Sequence, residues 1–148
     1  MGCENMQFYW AFLNDAKTAD ALSVRQEVFV QEQGFSAENE FDDTDAVAWH
    51  LVGYDNAGKA VCAARLFTQQ EGIWHAGRIA VVKAMRGQGA GRDLINAILA
   101  KARTLNARTV VLGAQHDKAG FYEKCGFVRT GHEYLDEGYL HVDMQITL

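Results

Sequence analysis

The chain has 148 residues, 49% of them apolar and 22% charged, enough for one folded domain (1–148) with a substantial core. Its 14 basic and 19 acidic residues leave a formal net charge of −5 with no basic tract, which argues against nucleic acid as a partner. No apolar run approaches the ~20 residues of a membrane-spanning helix, so no membrane partner is expected.

The first residues read Met-Gly-Cys-Glu-Asn-Met. They hold neither the charged nor the apolar region of a secretory leader, and Met6 stands where an acylation start needs Ser or Thr. Residues 7–13 are apolar and aromatic and predict a strand. Asp15 or Thr18 then caps a helix expected to run to about Gln33, where Gly34 stops it. Leu22, Val28 and Phe29 fit one apolar stripe. Arg25 and Glu32, seven apart, fall near the same face, where an ion pair is one reading. Residues 36–45 read as an acidic loop, either solvated or placed to recognise a cationic amine. Residues 46–54 and 59–69 predict a hairpin around Asp55-Asn56-Ala57-Gly58. A strand over 73–82, a helix over 91–104 and a strand over 108–115 follow. A short helix over 117–125 stops at Gly126. Residues 127–134 and 139–148 then pair around Asp136-Glu137-Gly138. In the last strand Leu140, Val142, Met144, Ile146 and Leu148 alternate, so Tyr139, His141 and Asp143 face the other way. The order β-α-β-β-β-α-β-α-β-β predicts a mixed sheet with both faces partly covered. Trp49, Trp74, Phe35 and Tyr139 are expected either in the core or around an acceptor pocket. Cys3, Cys62 and Cys125 are odd in number and lack metal-ligand spacing, which reads as reduced thiols in a cytoplasmic protein without a metal.

The most informative stretch is residues 86–91, Arg-Gly-Gln-Gly-Ala-Gly, between the run Ile79-Ala80-Val81-Val82 and a helical pattern. Glycine brings backbone N–H groups close to a ligand, and a helix start offers unpaired donors and partial positive charge. Such a turn suits a phosphate or pyrophosphate, with Arg86 adding a fixed charge. It is neither a Walker A loop nor a dinucleotide fingerprint.

Two motifs in register give the turn an identity. Arg86, Gly89 and Gly91 match the pattern Gln/Arg-x-x-Gly-x-Gly/Ala, and residues 122–127 read Tyr-Glu-Lys-Cys-Gly-Phe. With these the sequence resembles the GCN5-related N-acetyltransferase (GNAT) superfamily over nearly its whole length. Residues 22–35, Glu40-Phe41-Asp42-Asp43-Thr44-Asp45, His50-Leu51-Val52 and Gly77-Arg78-Ile79-Ala80-Val81 are similar to its bacterial ElaA/YjcF-like branch. The pattern Arg25…Phe29…Glu40-Phe41-Asp42…Asp45 is also similar to acyl-homoserine-lactone synthases. This chain is shorter than those enzymes, and its full glycine loop favours ordinary acetyl transfer.

The resemblance implies an α/β (α+β) GNAT fold: a mixed, mostly antiparallel twisted sheet of about six to seven strands flanked by helices. It implies acetyl-CoA as co-substrate and a small amine or protein amine as acceptor, with a homodimer left open. Amides of Gly87, Gln88, Gly89, Ala90, Gly91 and Arg92 would hold the pyrophosphate, and Ile79, Ala80 and Val81 would pair with the pantetheine arm. A backbone N–H there would stabilise the oxyanion of acyl transfer. Gln115 stands where relatives contact the cofactor through Asn, and Tyr122 matches the acid that protonates the leaving thiolate. The strand before the loop lacks the carboxylate base of many relatives; His75 and His116 are the main candidates, beside Glu27, Glu32, Asp45, His141 or a relayed water. The competing reading is an acyl-CoA-binding module without turnover.

Overall fold

Residues 6–148 are described by a computed structural model; Cys3 and the rest of the first five residues lie outside them. The alternating segments form β1 (Gln7–Ala11), β2 (Trp49–Tyr54), β3 (Ala60–Gln70), β4 (Ile73–Val81), β5 (Thr109–Gln115), β6 (Val128–Asp136) and β7 (Tyr139–Thr147). They make one sheet in the order β1-β2-β3-β4-β5-β7-β6. Only the β4–β5 pair is parallel, so the mixed, mostly antiparallel α/β GNAT architecture expected from the sequence is the one observed.

The helices are α1 (Ala16–Arg25), α2 (Ala37–Glu40), α3 (Ala90–Thr104) and α4 (Ala119–Lys124). α3 buries Leu94, Ile95, Ile98, Leu99 and Ala102 on one sheet face, against Leu51, Ala64, Leu66, Val110 and Leu112. Trp49 and Trp74 pack on this core. On the other face α1 and its extension bury Ala21, Val24, Val28 and Phe29 against Val52, Val61, Ala63 and Ala80. Covering both faces removes the apolar side of every central strand from water, the main driving force for this topology.

Asp15 caps α1, its carboxylate accepting from the Lys17 amide at 2.8 Å. The helix does not continue as one α-helix to Gln33. From Gln26 to Glu32 it widens into a π-helical segment, and Gly34, with φ of 79°, ends it. The wider turn shifts the phase, and the expected Arg25–Glu32 pair does not form. Each has another partner: Glu32 meets Arg86, while Arg25 turns inward to Glu40 and Asp45 at 2.9 Å each.

The acidic stretch is solvated only in part: Glu38, Asp42 and Asp43 are exposed, but Glu40 and Asp45 turn inward. Glu40 is 3% and Asp45 5% exposed, and with Asp42 they face three arginines. Arg25 is fully buried and also donates to the Glu40 carbonyl at 2.8 Å. Arg65 reaches Asp42 at 2.7 Å and Asp45 at 2.9 Å, and Arg78 lies 3.2 Å from Glu40 and from Asp42. Three cations thus match three carboxylates. Burial pushes the Asp42 and Asp45 carboxyls up, but the arginine hydrogen bonds and charges outweigh it and leave both below the usual range. For Glu40 burial wins, and its carboxyl is raised.

His50, beneath this cluster, lies 2.9 Å from the Asp45 carbonyl, so its Nε2–H donates. Burial lowers its pKa from the ordinary 6.5, and the same cause lowers that of His75. The unfolded chain therefore takes up these protons first as the medium is acidified. Stability is expected to fall as pH drops through about 6.5 toward the lowered native values. Melting temperatures between about pH 7.5 and 5 check this, and His50→Gln should flatten the slope.

Candidate active site

β4 and β5 begin as partners and then part. They pair only at Ile73–Thr109, Trp74–Val110 and His75–Val111. β4 is bent away by a bulge: Ala63 pairs with Ala80 and Arg65 with Gly77, so Arg78 and Ile79 share the place opposite Ala64. Arg78 takes a φ of 49°, unusual for a non-glycine residue. Its guanidinium donates to the Glu40 carbonyl and Asp42 carboxylate, 3.2 Å each, which fixes the bulge to the buried charge cluster. The gap is a cleft of about 300 Å³, walled by residues 77–81 of β4 and by Gly113 and Gln115 of β5.

At one end lies the glycine loop. Gly87 and Gly89 have φ of 78° and 87°, and α3 starts at Ala90 with no side chain capping its first amides. Gly91 borders the cleft; Gly87, Gln88, Gly89 and Arg92 are exposed beside it, and Ala90 is buried. Arg86 lines the cleft, but its charge is not free as expected. Its Nη atoms meet the Glu32 carboxylate at 2.5 and 2.8 Å, and Nε donates to the Val81 carbonyl at 3.0 Å. The hydrogen bond from Arg86 holds the Glu32 carboxyl below its usual range. Lys118 and Arg78 also lie in the lining, which makes three cations with Arg86.

Tyr122 on α4 also lines the cleft, 7% exposed, with its ring edge-on to Phe121 and Phe127. Burial pushes its phenol well above the usual tyrosine value, so it keeps its proton at neutral pH. No described residue hydrogen-bonds its hydroxyl, and that oxygen is not sealed from solvent. Gln115 spans the cleft, its Nε2 donating to Gln33 Oε1 at 2.8 Å.

The lining also takes in Phe35, Glu137 and His141. Phe35 packs edge-on to Tyr139 at 5.0 Å, and the Tyr139 hydroxyl donates to the Gln33 carbonyl at 3.0 Å. Glu137 accepts from the Ser36 amide and Asn39 Nδ2, 3.1 Å each, tying the β6–β7 turn to α2. His75 instead stacks on Phe67 at 5.0 Å, and His116 is exposed; neither lines the cleft. Glu27, Glu32 and Asp45 also lie outside its lining.

Gln33, Gly113 and Glu137 went unread as site residues. For Gly113 a signal exists, since glycine inside a strand marks close approach. A Cβ there would lie 2.0 Å from the Tyr134 hydroxyl. Gly113→Ala should therefore cost about 1–3 kcal/mol, measured as a lower denaturant midpoint, as Tyr134 is displaced.

A parting pair of parallel strands, with a glycine turn and a buried phenol bordering the gap, leaves a cleft open to an extended ligand. The family model of the acetyltransferase (GNAT) domain matches residues 13–148, and the chain belongs to that family. It is similar to the uncharacterised N-acetyltransferase YjcF of Bacillus subtilis, 35% identical over 88% of this chain and 93% of YjcF. An acyl-CoA N-acyltransferase from Pseudomonas aeruginosa superposes with a TM-score of 0.84 at 30% identity, covering 97% of this chain and all (100%) of that one. Escherichia coli ElaA superposes with a TM-score of 0.83 at 26% identity, covering 95% of this chain and 99% of ElaA. The protein is an acyl-CoA-dependent N-acyltransferase of the ElaA/YjcF-like branch.

Proposed function

We propose that the protein transfers acetyl from acetyl-CoA to a primary amine by direct attack within a ternary complex. The opened edge of β4 carries this reading: backbone groups of Ile79–Val81 that β5 leaves unpaired border a cleft sized for an extended chain. Ile79, Ala80 and Val81 would hydrogen-bond the pantetheine arm as an added strand. Amides from Gly87 to Arg92, at the uncapped start of α3, would take the pyrophosphate. Arg86 acts here chiefly as a strut, since Glu32 already neutralises it. Gln115, bonded to Gln33, would exchange that partner for the cofactor or keep the cleft's width.

When bound, acetyl-CoA supplies an activated acyl group with a good leaving thiolate. A backbone N–H at the β4 bulge would polarise the thioester carbonyl. Tyr122 would protonate the departing sulfur. The acceptor would enter from the opposite end, past Phe35 and the β6–β7 turn.

Thiol release from acetyl-CoA, followed across a panel of primary amines, tests the reading. Binding of CoA without release for any amine would leave a binding module instead. Gly89→Asp forces an L-side chain into a φ of 87° and sets a negative charge beside the phosphate path. It should weaken CoA binding by about tenfold or more in calorimetry; unchanged affinity would remove the loop from the site.

A further inference from the structure

Resting on the amine-acetylation reading above, we propose that His141 is the base that receives the acceptor's proton. His141 stands on β7 opposite Gln115 of β5. Its neighbour Val142 points into the α3 core, so the imidazole points to the other face of the sheet, where the cleft opens. It is 7% exposed, and Tyr134 stacks on it with centroids 5.3 Å apart and planes 17° from parallel. Its Nδ1 lies 2.9 Å from the Tyr139 carbonyl oxygen. A carbonyl only accepts, so Nδ1 carries the hydrogen and the neutral ring presents a lone pair at Nε2. No described residue hydrogen-bonds Nε2, and it is not among the side-chain atoms sealed from solvent. The lone pair therefore opens on the cleft.

Of the six groups that the sequence offers as bases, His141 alone lines the cleft. Asp143, two residues along β7 and on the same strand face, pairs with Gly113 and is the nearest carboxylate on this strand. Tyr134 packs on the ring from β6, and Asp136 and Glu137 flank it from the turn. Across the cleft Arg78 and Glu40 are paired at 3.2 Å, and Lys118 and Tyr122 stand toward the glycine loop.

The proton count closes. Nε2 takes one proton from the acceptor ammonium and later passes it to solvent. The freed nitrogen lone pair forms the C–N bond to the thioester carbon. The C–S bond then breaks with its electron pair on sulfur, and Tyr122 protonates that sulfur. The second nitrogen proton returns to the phenolate. Products are the amide, free thiol and one released proton.

His141→Gln keeps an N–H for the Tyr139 carbonyl but cannot act as a base; His141→Asn is a second variant of the same logic. Steady-state rates are measured over about pH 5.5 to 9, with CoA affinity by calorimetry as the folding control. With CoA affinity within about twofold of wild type, kcat/KM for the amine should drop about 10²-fold or more, and the acidic limb of its pH profile should vanish. Added imidazole should restore part of the rate to His141→Ala. Variants that keep both the rate and the acidic limb overturn the role of His141 and leave the reaction standing. A wild-type protein that releases no thiol with any amine overturns the reaction and the proposal together.

Discussion

Tyr122→Phe is expected to lower kcat by about 10²-fold or more while leaving CoA affinity within about twofold. The substitution removes one oxygen and keeps the ring, whose packing on Phe121 and Phe127 holds α4 against the core. Because no described residue hydrogen-bonds the hydroxyl, its loss strands no buried partner, and stability should change little. The raised phenol pKa makes Tyr122 a weak acid toward water but leaves it protonated when a thiolate forms beside it. Stopped-flow thiol detection with the best amine from the panel supplies the measurement. A kcat within threefold or so of wild type would take the proton donor away from Tyr122.

Arg25→Leu should be the most damaging single change to the fold, costing about 3–5 kcal/mol in denaturant unfolding. It takes a 2.9 Å partner from each of Glu40 and Asp45, both nearly inaccessible to water, and leaves Arg78 at 3.2 Å from Glu40 and Arg65 at 2.9 Å from Asp45. It also removes the donor to the Glu40 carbonyl. Acid should mimic it: Asp42 and Asp45 ionise more readily in the native state than unfolded, so their contribution is present above the unfolded pKa and lost as pH falls below about 4. The lesion should also reach the cleft, because Glu40 and Asp42 hold Arg78 at the β4 bulge. CoA affinity should fall with stability, which a binding isotherm under native conditions reads separately. An unfolding free energy within about 1 kcal/mol of wild type would show that the remaining arginines compensate.

The sheet and the glycine turn before α3 were legible because local rules govern them. Alternation gives strands such as Tyr139–Thr147 to within a residue, and a glycine turn between strand and helix needs no distant partner. What stayed hidden is tertiary. Nothing local says that Arg25 meets residues 15 and 20 positions downstream and not Glu32 seven away. The π-helical widening that makes this geometry has no composition signal of its own. The same holds for Arg86, whose charge reads as free until the fold brings Glu32 beside it. Histidine candidates could be enumerated but not ranked, since only the strand register decides that His141, and neither His75 nor His116, faces the cleft.

The short β4–β5 contact has one more consequence. With only three residue pairs joining them, the sheet is two antiparallel halves, β1 to β4 and β5 to β7, sharing a seam. An extended ligand lying in that seam would splice the halves into a continuous ladder. Amides of the distal parts of β4 and β5 should then exchange slowly only in the complex. At about a hundredfold excess of ligand over Kd, mass action alone would add about 2.7 kcal/mol to stability. Saturation with the co-substrate would act on this protein as a removable crosslink.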